Sequence, residues 1–189
     1  MPQDVFEEYA KDYDRWFDEH RDVYLSELAR IRTVLPPLDN RSIEVGVGSG
    51  RFAAPLGITL GIEPSRALGL MARDRGIEIL RGRAEDLPIK ERSCSSVLLV
   101  TVLCFLDNPT LALREIHRIL IPDGFIIVAF IIRGGRIHQK YIQDGMKGKF
   151  LSRARFCSPE EVVALLKETR FRVVRIDSRA GFCIIAAQK

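Results

Sequence analysis

The chain predicts an α/β fold: a doubly wound, Rossmann-like, seven-stranded and mostly parallel sheet with helices on both faces. A C-terminal antiparallel hairpin and an N-terminal helical cover complete it. Short apolar runs alternate with helix-compatible segments from Ser42 to Ile132, and a glycine-rich turn joins the first run to the first of those helices. Before them, apolar and aromatic residues recur at helical spacing over the first 35 positions. At 189 residues there is material for one core, so a single domain, 1–189, with one site is expected. Its parts are a cover (1–37), a core (42–132), a lid or linker (133–157) and a closing helix with hairpin (158–189).

In the cover, Val5, Phe6, Tyr9, Tyr13, Trp16 and Phe17, then Tyr24, Leu25, Leu28, Ile31 and Leu35, fit two amphipathic helices broken near His20 to Asp22. Pro36-Pro37 stops the second, because proline lacks the donor and disfavours helical geometry in the residue before it. Strands are expected over Ser42 to Val47, Ile58 to Glu63, Ile77 to Leu80, Ser96 to Val102 and Phe125 to Ile132. Helices fit about Gly50 to Leu56, Ser65 to Arg75 and Thr110 to Leu120, and right-handed crossovers then make the sheet parallel. After Arg133, Gly134-Gly135 opens a basic, polar stretch through Lys149, a length that is usually functional or mobile and is taken as a lid. Ser158-Pro159-Glu160-Glu161 starts a helix, Pro159 to Glu168, with Ser158 as N-cap and Glu161 completing a capping box. Arg172 to Asp177 and Phe182 to Ala187, joined by a turn at Ser178 to Gly181, form the closing hairpin.

Composition narrows the function classes. Val97 to Leu106 and Phe125 to Ile132 are far shorter than the ~20 residues a membrane helix needs. The N-terminus lacks a basic start followed by an apolar h-region, so a cytoplasmic protein is expected. The four cysteines (Cys94, Cys104, Cys157, Cys183) have no CxxC spacing and no neighbouring histidine at metal-ligand spacing, so they read as structural thiols and no metal is expected. A net charge of +4 with scattered arginines gives no nucleic-acid signature.

The sharpest motif is Glu44-Val45-Gly46-Val47-Gly48-Ser49-Gly50-Arg51, a turn between strand and helix. Glycines there let backbone amides approach a ligand, and the helix N-terminus adds donors and positive potential. The dinucleotide spacing GxGxxG is not met, since the third glycine comes one position early and Arg51 stands in its place. Glu44 would repel a pyrophosphate and suits a ligand with a cationic end. Glu63, in Gly61-Ile62-Glu63-Pro64, lies roughly 20 residues beyond the turn, where ribose-binding carboxylates occur.

These residues resemble the class I S-adenosylmethionine (SAM)-dependent methyltransferases, in particular the small-molecule branch that includes ubiquinone-biosynthesis-like enzymes. The resemblance covers nearly the whole chain. Its landmarks are the glycine turn, Gly61-Ile62-Glu63-Pro64-Ser65, Ala84-Glu85-Asp86-Leu87-Pro88, and Arg114-Glu115-Ile116-His117-Arg118-Ile119-Leu120-Ile121-Pro122-Asp123-Gly124, in that order. It implies SAM as cofactor and S-adenosylhomocysteine as product. Gly46, Gly48 and Gly50 would then shape the loop beside the methionine part, with Glu44 near its amino group. Glu63, followed by Pro64, would hold the ribose, Ala84 and Glu85 would read adenine, and Thr101 and Val102 would border the cofactor towards the acceptor.

The chain departs from the family pattern in places. Cys94-Ser95 stands where Phe-Asp is common, Asp123-Gly124 where Gly-Gly is common, and Arg83 where an acid is frequent.

Methyl transfer from a sulfonium needs no protonated leaving group, so positioning and exclusion of water can carry it. The sequence therefore shows no obligatory catalytic signature. Tyr9 and Tyr13, in an aromatic stripe that otherwise reads as core, are substrate-pocket candidates, and His138 is the one histidine considered as a base. His117 reads as structural, Cys104 as buried, and the pair Arg153/Arg155 as a solvated face. The expected function is methyl transfer to a small molecule, with no nucleic-acid or membrane partner. A SAM-binding partner protein without turnover stands as the alternative, and an NAD(P)-dependent oxidoreductase is disfavoured by Glu44 and Arg51.

Overall fold

Seven strands, β1 (Ser42–Val45), β2 (Leu60–Ile62), β3 (Glu78–Leu80), β4 (Cys94–Val100), β5 (Leu120–Ile131), β6 (Arg172–Arg179) and β7 (Phe182–Gln188), form one sheet in the order β3-β2-β1-β4-β5-β7-β6. This is a computed structural model, and it describes residues 3–143 and 149–189. The strands β1 to β5 pair in parallel, while β7 runs antiparallel to both β5 and β6. The helices are α1 (Gln3–Glu8), α2 (Ala10–Glu19), α3 (Arg21–Val34), α4 (Ala53–Leu56), α5 (Arg66–Asp74), α6 (Pro109–Ile119), α7 (Arg136–Gln143) and α8 (Pro159–Glu168). No helix among the described residues is long and apolar enough to cross a membrane.

Period-two alternation along the central strands builds two cores. Val97 and Leu99 of β4 pack with Leu113 and Ile116 of α6 and with Val162 and Leu166 of α8. Leu98 and Val100 face the opposite side, with Phe17 of α2, Ile31 of α3 and Ala72 of α5. Both faces are thus covered, as a parallel sheet requires.

Local backbone chemistry explains where elements begin and end. The first strand stops at Val45, short of Val47, because Gly46 is left-handed (φ 70°). The fourth stops at Val100, since Thr101 takes φ 54°. Ile58 and Ile77 donate their N–H groups to Ala53 and Ala72, so β2 and β3 start later than the apolar runs. The fifth strand starts at Leu120, five residues before Phe125. Cys94 pairs with Leu120 and Ser96 with Phe125, and the residues between bulge outward.

That bulge accounts for two departures from the family pattern. Asp123, where glycine is common, holds φ 62°, a conformation aspartate tolerates better than most side chains. Ser95, where aspartate is common, donates to the carboxylate of Asp39, so a neighbouring loop supplies the missing acid.

The cover consists of three helices and not two, with an added break at Tyr9. Glu7 of α1 accepts from Ser65 Oγ at 2.7 Å and from the Ala67 N–H at 3.2 Å, which docks α1 on the first turn of α5. The stretch expected as a lid contains α7 and a short 3-10 turn, Leu151–Arg153, while residues 144–148 of it lie outside the described residues. The capping box of α8 forms with the expected bounds, Ser158 Oγ accepting from the Glu161 N–H and Glu161 accepting from the Ser158 N–H. In the closing hairpin Ala180 and Gly181 both have positive φ, the two-residue turn whose twist matches its strands.

Candidate functional site

The carboxyl ends of β1 to β5 open on a cavity of about 280 Å³, close to the lower end of the roughly 300–1,000 Å³ usual for small-molecule sites. Sheet order sets its axis. Gly82, Ala84 and Glu85 follow β3, Glu63 and Pro64 follow β2, Gly46 and Gly48 follow β1, Thr101 and Val102 follow β4, and Ile131 ends β5; all of them line it.

Gly46 and Gly48 make the turn possible. The N–H groups of Gly46 and Val47 donate to Ile62 at 2.8 and 3.1 Å, which pulls the loop over the end of β2. A Cβ on Gly46 would collide with Val102, and one on Gly48 (φ 57°) would lie 3.3 Å from the Tyr13 ring. Tyr13 therefore roofs a slot that only glycine leaves open. Its phenol is held above the usual range by burial and by Glu63 and Glu44, so Tyr13 forms a neutral part of the wall.

Glu63 is buried at the cavity wall. Its Oε2 accepts from the Gly48 N–H at 2.8 Å and its Oε1 from the Ser65 N–H at 2.9 Å. One carboxylate thus braces the glycine loop against the start of α5. Each oxygen keeps a further lone pair for a donor from the cavity. Burial raises the carboxyl to about 7 against the lowering effect of both amides.

Next to it, Glu85 Oε1 accepts from the Asp107 N–H at 3.1 Å, and Arg83 bridges Asp107 (2.7 Å) and Glu85 (3.6 Å). Arg83 thus substitutes for the acid expected there by tying the β3 and β4 loops together. Thr101, a β-branched residue with positive φ, is a strained outlier of the kind that collects at functional sites.

The cover is latched to the glycine loop through Arg51. Its guanidinium donates to both carboxylate oxygens of Asp14 at 2.8 Å and to Asp18 at 2.7 and 2.8 Å. Arg75 reaches the same Asp14 carboxylate at 2.9 Å. Burial works against the charge on Asp14, yet these hydrogen bonds bring its pKa down to about 2. Arg51, which broke the dinucleotide pattern, is thus what holds α2 over the site. Asp18 is mostly exposed and adds little. We expect Arg51→Ala to cost about 2 kcal/mol through the partly buried Asp14 pair, a fall in melting temperature of roughly 4–8 °C. Unchanged melting would mean that the latch contributes nothing.

Not every sequence candidate faces the cavity. Glu44 sits beneath the loop, fully buried, with the Ala53 N–H as its partner and Oε2 unpartnered among the described residues. Burial holds its carboxyl well above the ordinary range. Gly50 packs against Ile77 and Ala72, so it supports the turn from the core side. Tyr9 lies under the Lys149 ammonium, 3.9 Å from ring centre to Nζ, off the cavity wall. His138 is turned away as well: its Nδ1 accepts from the Gly134 N–H at 2.8 Å and its ring packs on Phe156. Cys104 is buried with its thiol pushed up to about 12, and His117 packs on Phe171.

The structure also brings in residues that the sequence did not single out, notably Phe17, Glu27, Phe105, Ile137 and Phe150. Phe17 belongs to the helical aromatic stripe, and Glu27 interrupts the apolar face of α3 between Tyr24 and Leu28. Phe150, stacked on Phe6 at 5.3 Å, comes from the stretch without periodicity.

The Glu63 ionisation bears on any ligand that donates to its carboxylate. Hydroxyl donors bind a carboxylate more strongly than a neutral carboxyl, so the binding of such a ligand should weaken as pH falls through about 7, by up to roughly tenfold per unit. Glu63→Gln should flatten that profile in calorimetric titrations. For the free chain the sign is opposite. A carboxyl raised from 4.5 to about 7 keeps a proton in the folded state that the unfolded chain has lost, so stability declines as pH rises across that interval.

Comparison with known proteins agrees with this geometry. The model of a methyltransferase domain matches residues 43–128. An uncharacterized protein of Methanocaldococcus jannaschii is 37% identical over 171 residues, covering 90% of this chain and 82% of that one. Mycobacterium tuberculosis relatives are 33% identical over 168 residues, and this chain spans only 59% of their length. A solved Thermotoga maritima SAM-dependent methyltransferase, described as a possible histamine N-methyltransferase, superposes with a TM-score of 0.90 at 37% identity, covering 98% of each chain. A Haloferax volcanii methyltransferase solved with its Trm112 activator shares the fold, with a TM-score of 0.78 at 19% identity. A glycine slot that a single Cβ would narrow, a buried carboxylate with acceptor capacity to spare and 37% identity over 98% of a solved SAM-dependent methyltransferase converge: this chain belongs to the class I SAM-dependent methyltransferases, and S-adenosylmethionine is its cofactor.

Proposed function

We propose that the chain transfers a methyl group from SAM to a small-molecule acceptor held at the aromatic end of the cavity. The observation that carries this is the continuity of one cavity from Glu85 past Glu63 and Gly48 to Phe17 and Ile137. In this reading Ala84, through its backbone amide, and Glu85 read the adenine edge. Glu63 accepts from the ribose hydroxyls beside Pro64. Gly46 and Gly48 admit the methionine part, Glu44 and Gly50 support that turn from below, and Thr101 and Val102 border the methyl. Bound SAM supplies an electrophilic methyl and leaves as a neutral thioether, so no general acid is required of the protein.

The protein's own share is positioning and drying the site. Tyr13, Phe6 and Phe150 pack edge-to-face or stacked at 5.3–5.6 Å over the glycine loop and exclude water from it. Ile137 of α7 and Phe150 act as the lid on this side of the cavity. A single domain with a cavity of this size favours an acceptor of small-molecule dimensions, and an amine such as that named for the Thermotoga maritima relative is one of suitable size.

The test is calorimetric titration with SAM and S-adenosylhomocysteine, followed by transfer of labelled methyl in a cell extract. Binding together with label in the low-mass fraction is expected. Absence of binding overturns the cofactor assignment. Label only in protein or nucleic acid overturns the acceptor class, and binding with no transfer favours a partner protein without turnover.

A further inference from the structure

From the proposed function we infer that the acceptor is a cationic amine with an apolar body, and that Glu27 is the residue that selects it. Glu27 lies on α3, one turn beyond Tyr24 and Val23, and lines the cavity together with Trp16, Phe17 and Ile137. Helical spacing of three and four residues puts these α3 side chains on one face. The cofactor stretch lies towards β3 and β2, whereas α3 packs against β7, beyond β5. Glu27 therefore stands at the end of the cavity left for the acceptor.

Its surroundings are chemically incomplete. Among the described residues Glu27 has no hydrogen-bond or ion-pair partner. The nearest cation by sequence, Arg30, is one turn on and is committed elsewhere. Its guanidinium binds Asp177 at 3.1 and 3.2 Å and the carbonyls of Asp177, Arg179 and Phe182. Arg30 acts on Glu27 only through its field. A half-buried carboxylate on the wall of a largely apolar cavity, reached by Arg30 only through its field, is costly to keep ionised. Burial accordingly raises the carboxyl to about 7. An arriving ammonium reverses that cost, since a cation at contact distance restores the charged form and gains a charge-assisted hydrogen bond; for transfer the ammonium proton passes to the Glu27 carboxylate, and the freed nitrogen lone pair bonds the methyl as the methyl–sulfur bond of SAM breaks.

The neighbours fit the same ligand. Trp16, stacked on His20, meets Phe17 edge-to-face at 5.3 Å, and Phe17 already carries the Arg51 guanidinium 5.8 Å from its ring centre, so these rings line the wall with Glu27 and supply apolar surface for the body of the acceptor. An anionic acceptor would meet Glu27 as a like charge. A neutral alcohol would gain only an ordinary hydrogen bond.

The experiment uses the full chain saturated with S-adenosylhomocysteine. Calorimetry compares 2-phenylethylamine, 2-phenylethanol and phenylacetate, which share one apolar body and differ in the polar end. The amine should bind about tenfold or more tightly than the alcohol, with the acid weakest. In Glu27→Gln the preference should collapse while S-adenosylhomocysteine affinity and melting temperature stay as in the parent chain. Equal affinities for amine and alcohol, no amine binding to the loaded chain, or a preference that survives in Glu27→Gln each overturn the assignment. Failure of S-adenosylhomocysteine itself to bind is a separate result and overturns the cofactor reading on which this inference rests.

Discussion

Gly48→Val is expected to remove SAM binding from a chain that still folds. The Cβ alone would lie 3.3 Å from the Tyr13 ring, and the two methyl groups beyond it have only the cavity to enter. They would occupy the slot between loop and roof in which we propose that the methionine part lies. The substitution also places a β-branched residue at φ 57°, costing roughly 1–2 kcal/mol of stability, or about 2–8 °C in melting temperature. Gly57→Ala separates the two effects. Gly57 has φ 79° with nothing within 4 Å of a new Cβ, so it suffers backbone strain without filling the cavity. It should lower melting and leave SAM affinity alone. A folded Gly48→Val chain that binds SAM as the parent does would show that the methionine part passes elsewhere.

Glu63→Ala should weaken SAM by about 1.5–3 kcal/mol, a loss of roughly ten- to 150-fold in affinity, because charge-assisted acceptors for the ribose disappear. A second effect comes from the structure. The same carboxylate accepts from Gly48 and Ser65, so alanine leaves both amides without their protein acceptor and loosens the glycine loop. Stability should fall by about 1–3 kcal/mol. Glu63→Gln keeps one oxygen as acceptor and should be intermediate in both respects. Calorimetry and melting, measured on the same preparations, separate the two roles. Lower stability with unchanged SAM affinity would make Glu63 a brace only.

From Ser42 to Ile131 element type and order followed from periodicity, because a buried parallel strand and an amphipathic helix each impose their own apolar spacing on the chain; the third cover helix and α7 did not. The capping box at Ser158 and the stop at Pro36-Pro37 were legible for a related reason: their chemistry is local. The place of the glycine turn and Glu63 at the carboxyl edge was legible because close backbone approach demands particular residues at particular steps. A bulge at Asp123-Gly124 was not, since it depends on how Cys94 and Ser96 pair with a strand more than twenty residues later.

Which side chains share the cavity was decided by the tertiary structure. Glu44 and Gly50 belong to the motif yet turn into the core, because successive residues of a strand and its turn point to opposite sides. Glu27 and Phe150 belong to no motif yet reach the cavity, since α3 and segment 149–153 fold across the carboxyl edge of the sheet. Arg51 reads from sequence only as a mismatch; contact with Asp14, 37 residues earlier, makes it a latch. The amino-acid order by itself determined the α/β scaffold and the place of its cofactor turn, which rest on interactions between near neighbours. The aromatic end of the cavity rests on contacts between distant segments, and those exist only once the sheet has brought its loops to one edge.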